Sequence, residues 1–202
     1  TWLIFIGHGG FVGAILSFTG LWGPPFLKMR FDLKSTTASA ICSVMIVCWA
    51  AASPICGHLS DRMGRRKPIY VAGAVTASIG WIAMFYAPGL ALPAFIAVAA
   101  ITSFASGAVI LGFAYAKESV PIQYLGTISG TVNAGNMIGP MLLQPGIGRI
   151  LDSQWSGQML NGARVYGLHD FQAAFALVAG WSVLTCVLAS LTRETNCRQC
   201  AG

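Results

Sequence analysis

Five long stretches of this chain carry no formal charge: residues 1–27, 35–60, 68–116, 119–148 and 171–192. A helix needs about 20 apolar residues to cross about 30 Å of hydrocarbon. The stretch 68–116 is 49 residues long, too long for one crossing and sufficient for two. It carries its own punctuation in Ala87-Pro88-Gly89-Leu90-Ala91-Leu92-Pro93, which reads as a tight turn. The runs are continuous and lack the alternation of membrane β-strands. Composition agrees, because twelve Lys/Arg and six Asp/Glu make up only 9% of the 202 residues. A soluble domain carries about 25% charged residues to face water. A net charge of +6 does not point to nucleic acid, since the cations fall in short gaps between apolar runs rather than on one face.

The pattern predicts an all-α polytopic membrane protein with six transmembrane helices at about 2–23, 37–59, 69–87, 92–116, 122–148 and 170–192. Orientation follows from the gap Asp61-Arg62-Met63-Gly64-Arg65-Arg66-Lys67, which holds four of the twelve basic residues. The positive-inside bias places it in the cytoplasm, with both ends of the segment on the same side. The first run has no basic leader and is followed by five further spans, unlike a signal peptide. The chain opens at Thr1 inside apolar sequence. The expectation is therefore a segment of a longer protein.

Span two closes on Pro54-x-x-Gly57-x-Leu59-x-Asp61, and span five on Pro145-x-x-Gly148-x-Ile150-x-Asp152, 91 residues later. In the predicted topology the two lie at opposite membrane faces, as a 3+3 inverted repeat requires. Cys42, Cys48, Cys56 and Cys186 fall within spans, where cysteine acts as a small hydrophobe. The Cys197-x-x-Cys200 pair lacks a second ligand pair and reads as a reduced tail, so neither a metal nor a cofactor is implied.

Within Gly57-His58-Leu59-Ser60-Asp61-Arg62-Met63-Gly64-Arg65-Arg66, Gly57 would admit a neighbouring helix and Gly64 would allow the reversal between spans. Asp61 sits at a helix C-terminus, where the macrodipole disfavours an anion, so it calls for a cationic or helix-N-terminal partner. This segment resembles motif A of the major facilitator superfamily, G-x-L-A-D-R-x-G-R-(K/R), with Ser60 in place of the Ala. The resemblance implies a six-helix half bundle of that fold and a charged latch on the cytoplasmic side. Glu118-Ser119-Val120-Pro121 resembles the E-x-x-P between the tenth and eleventh helices of members. That likeness implies a bridge from Glu118 to Arg65 or Arg66. Together with a fourth span free of charge, it also implies the C-terminal half, with the N-terminal half outside this chain. Gly126, Gly135 and Gly139-Pro140 resemble the start of the family's motif C. Their plainer reading is a pair of helix-packing faces, Gly126/Gly130 and Gly135/Gly139, with a kink at Pro140.

His8 is the ionisable residue well inside a span, and such groups usually face an aqueous path. It is a candidate proton or solute contact. Asn133 and Asn136 lie three apart on one helical face, available to a solute or to a neighbouring helix. Thr102 and Ser106 in span four and Trp22 beside the Gly20–Pro25 break complete the cavity candidates. The functional expectation is secondary active transport of a small polar metabolite, a sugar or organic acid, with H+ as the coupling ion, in the inner or plasma membrane. The implied partners are the N-terminal half, membrane lipid and the solute. Drug efflux and a non-transporting sensor on the same fold are the alternatives. A membrane enzyme would need clustered acid–base groups or facing ligand pairs, which the sequence does not offer.

Overall fold

The computed structural model describes residues 2–160 and 162–199. Six helical rods run alternately up and down: α1 (Trp2–Phe31), α2 (Ser35–Met63), α3 (Lys67–Tyr86), α4 (Leu92–Glu118), α5 (Leu125–Gln154) and α6 (Leu168–Leu191). The end carrying the 64–66 turn and the segment after α6 is called the lower end here. Five rods are long and apolar enough to cross a membrane by length and composition. The sixth, α5, is long enough at 30 residues, but its glycines, asparagines and Arg149 dilute its hydropathy.

The helices associate in two related sets of three. α2 packs on α4 as α5 packs on α1; α3 packs on α4 as α6 packs on α1; and α3 meets α6 between them. Since α1–α3 and α4–α6 run in opposite senses, this is the inverted arrangement anticipated from the two Pro-x-x-Gly segments.

Hydrocarbon offers helices no hydrophobic reason to associate, so close approach and dispersion hold them together. The tightest seam lies between α1 and α5. A Cβ at Gly139 would stand 2.8 Å from the Gly13 Cα, and one at Gly135 would stand 2.5 Å from the Phe5 carbonyl oxygen. At Gly126 and Gly130 the same test meets nothing within 4 Å among the described residues. The packing face expected at Gly126/Gly130 is thus absent from this bundle, because that turn of α5 lies beyond the reach of α1. Pro140 stands inside α5, which continues through it to Gln154.

Two further departures have local causes. Gly20–Pro25 was expected to end the first span, yet the rod continues to Phe31 through a π-helical turn at Phe18–Trp22. Pro24 and Pro25 then occupy the first turn of the next segment, where a missing N–H costs little. α4 carries a 3-10 turn at Gly107–Val109, which separates its lower nine residues, Ile110–Glu118, from the rest.

The core of the upper half is aromatic. Phe18, Phe26, Trp81, Phe85, Phe171 and Phe175 are buried together, and Phe85 stacks on Phe175 at 4.2 Å. Arg30 closes the top of this cluster by donating from Nη2 to the Ala87 carbonyl at 2.8 Å and from Nη1 to that of Met84. Its guanidinium lies over Phe26, Phe31 and Phe95. It thereby satisfies the last carbonyls of α3 with a charge that the helix C-terminus favours. In the α5–α6 connection, Met159–Leu160 pairs antiparallel with Ala163–Arg164, and Asp152 receives Arg164 and the Tyr166 hydroxyl.

The glycine geometry gives a paired test. Gly139→Val forces a branched side chain into the α1 backbone and is expected to destabilise the bundle by about 1–3 kcal/mol or more. Gly126→Val, on a face that is open within this bundle, should cost much less in the thermal unfolding of the purified protein in detergent.

Candidate functional site: a charged clamp at the lower end

α2 ends at Gly64, whose φ of +64° and N–H to the Asp61 carbonyl turn the chain back on itself. Glycine takes this left-handed conformation without steric cost. The reversal returns Arg66 beside the helix end it has just left. Its Nη1 donates to Asp61 Oδ1 at 2.5 Å and to Ser60 Oγ at 3.2 Å. Its Nε and Nη2 donate to Glu118 Oε1 at 3.1 and 2.8 Å. The Arg66 and Glu118 side chains are only 11% and 10% exposed, whereas Asp61 is 64% exposed. Burial works against the Arg66 charge, but Glu118 and Asp61 outweigh it and hold the guanidinium above its ordinary value. An Arg66–Glu118 pair this sheltered cannot lose one partner cheaply, since the remaining charge would stay buried at a cost of about 3–5 kcal/mol.

Of the two bridges considered for Glu118, the structure forms the one to Arg66. Arg65 points outward, 62% exposed, with Nε 3.8 Å from Glu194. Arg62 is exposed and makes no ion pair among the described residues. Gly57, expected to admit a neighbouring helix, meets nothing within 4 Å among the described residues, because α2 leans on α4 by another face.

Sequence reasoning missed Glu194. The segment after α6 folds across the lower end, and the Glu194 carboxylate accepts the backbone N–H groups of Arg66 at 2.8 Å and Lys67 at 3.0 Å. It thus caps the N-terminus of α3. Burial pushes its carboxyl up, but the amides of Arg66, Asn196, Lys67 and Thr195 outweigh that and hold it below the ordinary glutamate value. Thr195 Oγ1 donates to the other Glu118 oxygen, and Gln199 Nε2 donates to the Lys117 carbonyl at 2.9 Å. A signal was available: α3 begins Arg66-Lys67-Pro68 with no Ser, Thr, Asp or Asn to cap it, so its donors need an outside acceptor. Cys197 lies against the Ser60 carbonyl, with its thiol raised chiefly by burial; Cys200 is outside the described residues.

The other candidates lie apart from this clamp. His8 is fully buried, edge-on to Phe113 at 5.3 Å, and neither ring nitrogen has a hydrogen-bond partner among the described residues. Asn136 is buried beside it, whereas Asn133 is exposed on α5. Thr102 and Ser106 donate back to Val98 and Thr102 of their own helix. Trp22 Nε1 donates to the Gln144 carbonyl at 3.0 Å and ties α1 to α5. Phe11 and Phe18 are core residues.

The fold and the clamp together define a polytopic helical membrane protein built as an inverted-repeat bundle. The sequence model of the Major Facilitator Superfamily matches residues 4–196, and the chain belongs to that superfamily. Among curated relatives, the lysosomal dipeptide transporter MFSD1 of Gallus gallus is 28% identical over 166 residues, covering 76% of this chain and 34% of that protein. Monocarboxylate transporter 11 of Homo sapiens is 28% identical over 148 residues, covering 67% of this chain and 29% of that protein. Among solved structures, the inward-open xylose transporter XylE from E. coli superposes with a TM-score of 0.74 at 16% identity, over 96% of this chain and 47% of that one. The chain thus spans between 29% and 47% of the length of these proteins. It is an integral membrane protein whose family and fold point to transport rather than catalysis.

The Glu194 cap has a pH signature. A carboxyl held low in the folded state contributes stability above its ordinary value of 4.5 and loses it as the pH falls through the lower folded value. Protection of the Arg66 and Lys67 amides against hydrogen exchange should therefore drop in acid. Glu194→Ala should lower it by about tenfold at neutral pH, as loss of hydrogen bonds to a charged acceptor implies.

Proposed function

We propose that this chain is the C-terminal six-helix half of a secondary active transporter. It moves a small polar metabolite of sugar or organic-acid type, coupled to protons, by alternating access in the cell membrane. The observation that carries the reading is Arg66 gripped between Asp61 and Glu118. That grip binds the lower ends of α2, α3 and α4, together with the segment after α6, into one rigid edge. A bundle tied in this way moves as a body against a second bundle. Gly57 on α2 and Gly126, Gly130 and Asn133 on α5 are open faces on which such a bundle would rest. The positive-inside bias of the Arg62–Lys67 cations supports a cytoplasmic position for this edge and for both ends of the segment.

A polar solute is favoured because Phe11 and Phe18, the aromatics that would suit an apolar drug, are committed to the core. Exposed Asn133 on the least apolar helix offers an amide instead. The similar proteins named above carry xylose, dipeptides or monocarboxylates in their names, all small and polar. The solved D-xylose–proton symporter shares the fold with a TM-score of 0.69.

The test is flux across proteoliposomes holding the full-length protein, with a pentose, a dipeptide and a monocarboxylate, with and without an inward proton gradient. Uptake of one solute class, stimulated by the gradient, is expected. Asp61→Asn removes a largely exposed pair worth about 0.5–1 kcal/mol, so uptake should slow by about two- to fivefold with insertion intact. Absence of flux for every solute, or an Asp61→Asn variant with unchanged flux and unchanged sidedness of access, would overturn the reading.

A further inference from the structure

We propose that His8 and Asn136 form a proton-binding site inside the bundle, covered from the lower end by the segment Ile110–Glu118 and uncovered when the Arg66–Glu118 clamp releases that segment. The inference rests on the latch reading of the clamp and names what the latch controls.

Seven buried side-chain polar atoms have no hydrogen-bond partner among the described residues, and three of them belong to the neighbours His8 and Asn136: His8 Nδ1, His8 Nε2 and Asn136 Oδ1, with Tyr115 Oη a fourth on the segment below Val109. Buried polar atoms are paired in the large majority of cases, so this coincidence requires a reason. A neutral imidazole presents one N–H and one lone pair, and here both are unmet. The ring is 0% exposed. Its Nε2 occupies the space that a Cβ on Gly112 would fill, and its edge meets Phe113. The neighbouring residues thus form a fitted seat for the ring, with Asn136 the polar side chain placed to interact with it.

The cover of that seat is a separate mechanical unit. Gly112 and Phe113 belong to the nine-residue segment below the 3-10 turn Gly107–Val109. A 3-10 stretch within a helix often marks a hinge. The same segment ends on Glu118, six residues and about 9 Å below Gly112. One short rod therefore carries both the lid over His8 and the residue that Arg66 holds. Releasing Glu118 frees the rod to swing at Gly107–Val109 and admits water to the ring.

No carboxylate or cation faces the ring from the packed elements. α5 contributes Asn136. α6 contributes Thr185, whose hydroxyl donates to the Gly7 and Trp181 carbonyls. From α3, the Tyr70 hydroxyl lies toward Gly7, and Tyr115 on the lid itself meets Tyr70 edge-on at 5.6 Å. The ligand this chemistry takes is a hydrated proton. Hydronium gives its proton to the imidazole lone pair and leaves as water. The resulting imidazolium has two N–H donors, one for Asn136 Oδ1 and one for water entering beside the lid. A charged ring is disfavoured under the closed lid and solvated under an open one. Protonation and opening therefore favour each other by linkage.

Carbethoxylation of histidines in the full-length protein in nanodiscs, mapped by peptide mass, tests the lid. His58 and His169 are exposed and serve as internal references, and Cys42, buried in the upper core, reports general loosening. His8 should react slowly in the wild type and at least about tenfold faster in Glu118→Gln, as loss of a sheltered charge partner implies. Glu118→Asp should fall between the two, with His58, His169 and Cys42 unchanged. For the proton, alkylation of Ala116→Cys on the lid, taken relative to the same cysteine in the unfolded protein at each pH to remove the thiolate's own titration, should rise several-fold from pH 8 to pH 5 and become flat when His8→Gln is added. His8 reactivity indifferent to Glu118→Gln, exposure of Cys42 together with His8, or a pH profile that survives His8→Gln would each overturn the proposal. None of these readings requires a known solute, so they fail independently of the flux assay.

Discussion

A chain in hydrocarbon has no water to receive its backbone N–H and C=O groups, and the rest of this structure depends on that constraint. Every long apolar run must close its hydrogen bonds within itself, which makes each run a helix. The same solvent removes the hydrophobic drive for helices to associate, so their contacts come from shape. Gly9 and Gly13 on α1 against Gly135 and Gly139 on α5 are the clearest case: bare backbones meet where a single methyl group would not fit. Aromatic stacking around Phe85 and Phe175 performs the equivalent task at the upper end.

Charge is confined to the ends, and at the lower end it is concentrated on one side chain. Arg66 is reached by two carboxylates from different helices while Glu194 closes the amides behind it. Only arginine could serve here, since its planar fork presents separate N–H groups to Asp61, Ser60 and Glu118 at once. The cluster couples elements distant in sequence: the turn after α2, the foot of α4 and the chain beyond α6. Local release at Glu118 is thus felt along the whole lower segment of α4, up to the ring of His8.

Much of this was legible in the sequence because the signals are local. Charge-free runs gave the six helices, and Asp61 at a helix C-terminus called for a cationic partner. The Glu118-x-x-Pro121 resemblance supplied a carboxylate for Arg65 or Arg66. The choice between those two arginines was not legible, since it depends on the direction in which the Gly64 turn returns the chain. Glu194 was missed for a related reason, because an acceptor supplied from a remote segment leaves only an uncapped helix start as its trace. Gly57, Gly126 and Gly130 looked like packing glycines because small residues usually are. Whether a neighbour stands opposite them depends on which faces of α2 and α5 the bundle uses.

The amino-acid sequence by itself determined that this is a six-helix membrane bundle with an inverted repeat and one charged turn, since period, length and charge placement follow from neighbours along the chain. Only the tertiary structure decided that α1 is buried against both α5 and α6, that Arg66 rather than Arg65 holds Glu118, and that His8 lies under the same short rod which Glu118 anchors. Those outcomes are set by the crossing of helices that meet across 52 residues at the clamp and 122 where Trp22 reaches α5. No local pattern encodes which atoms such a crossing brings face to face.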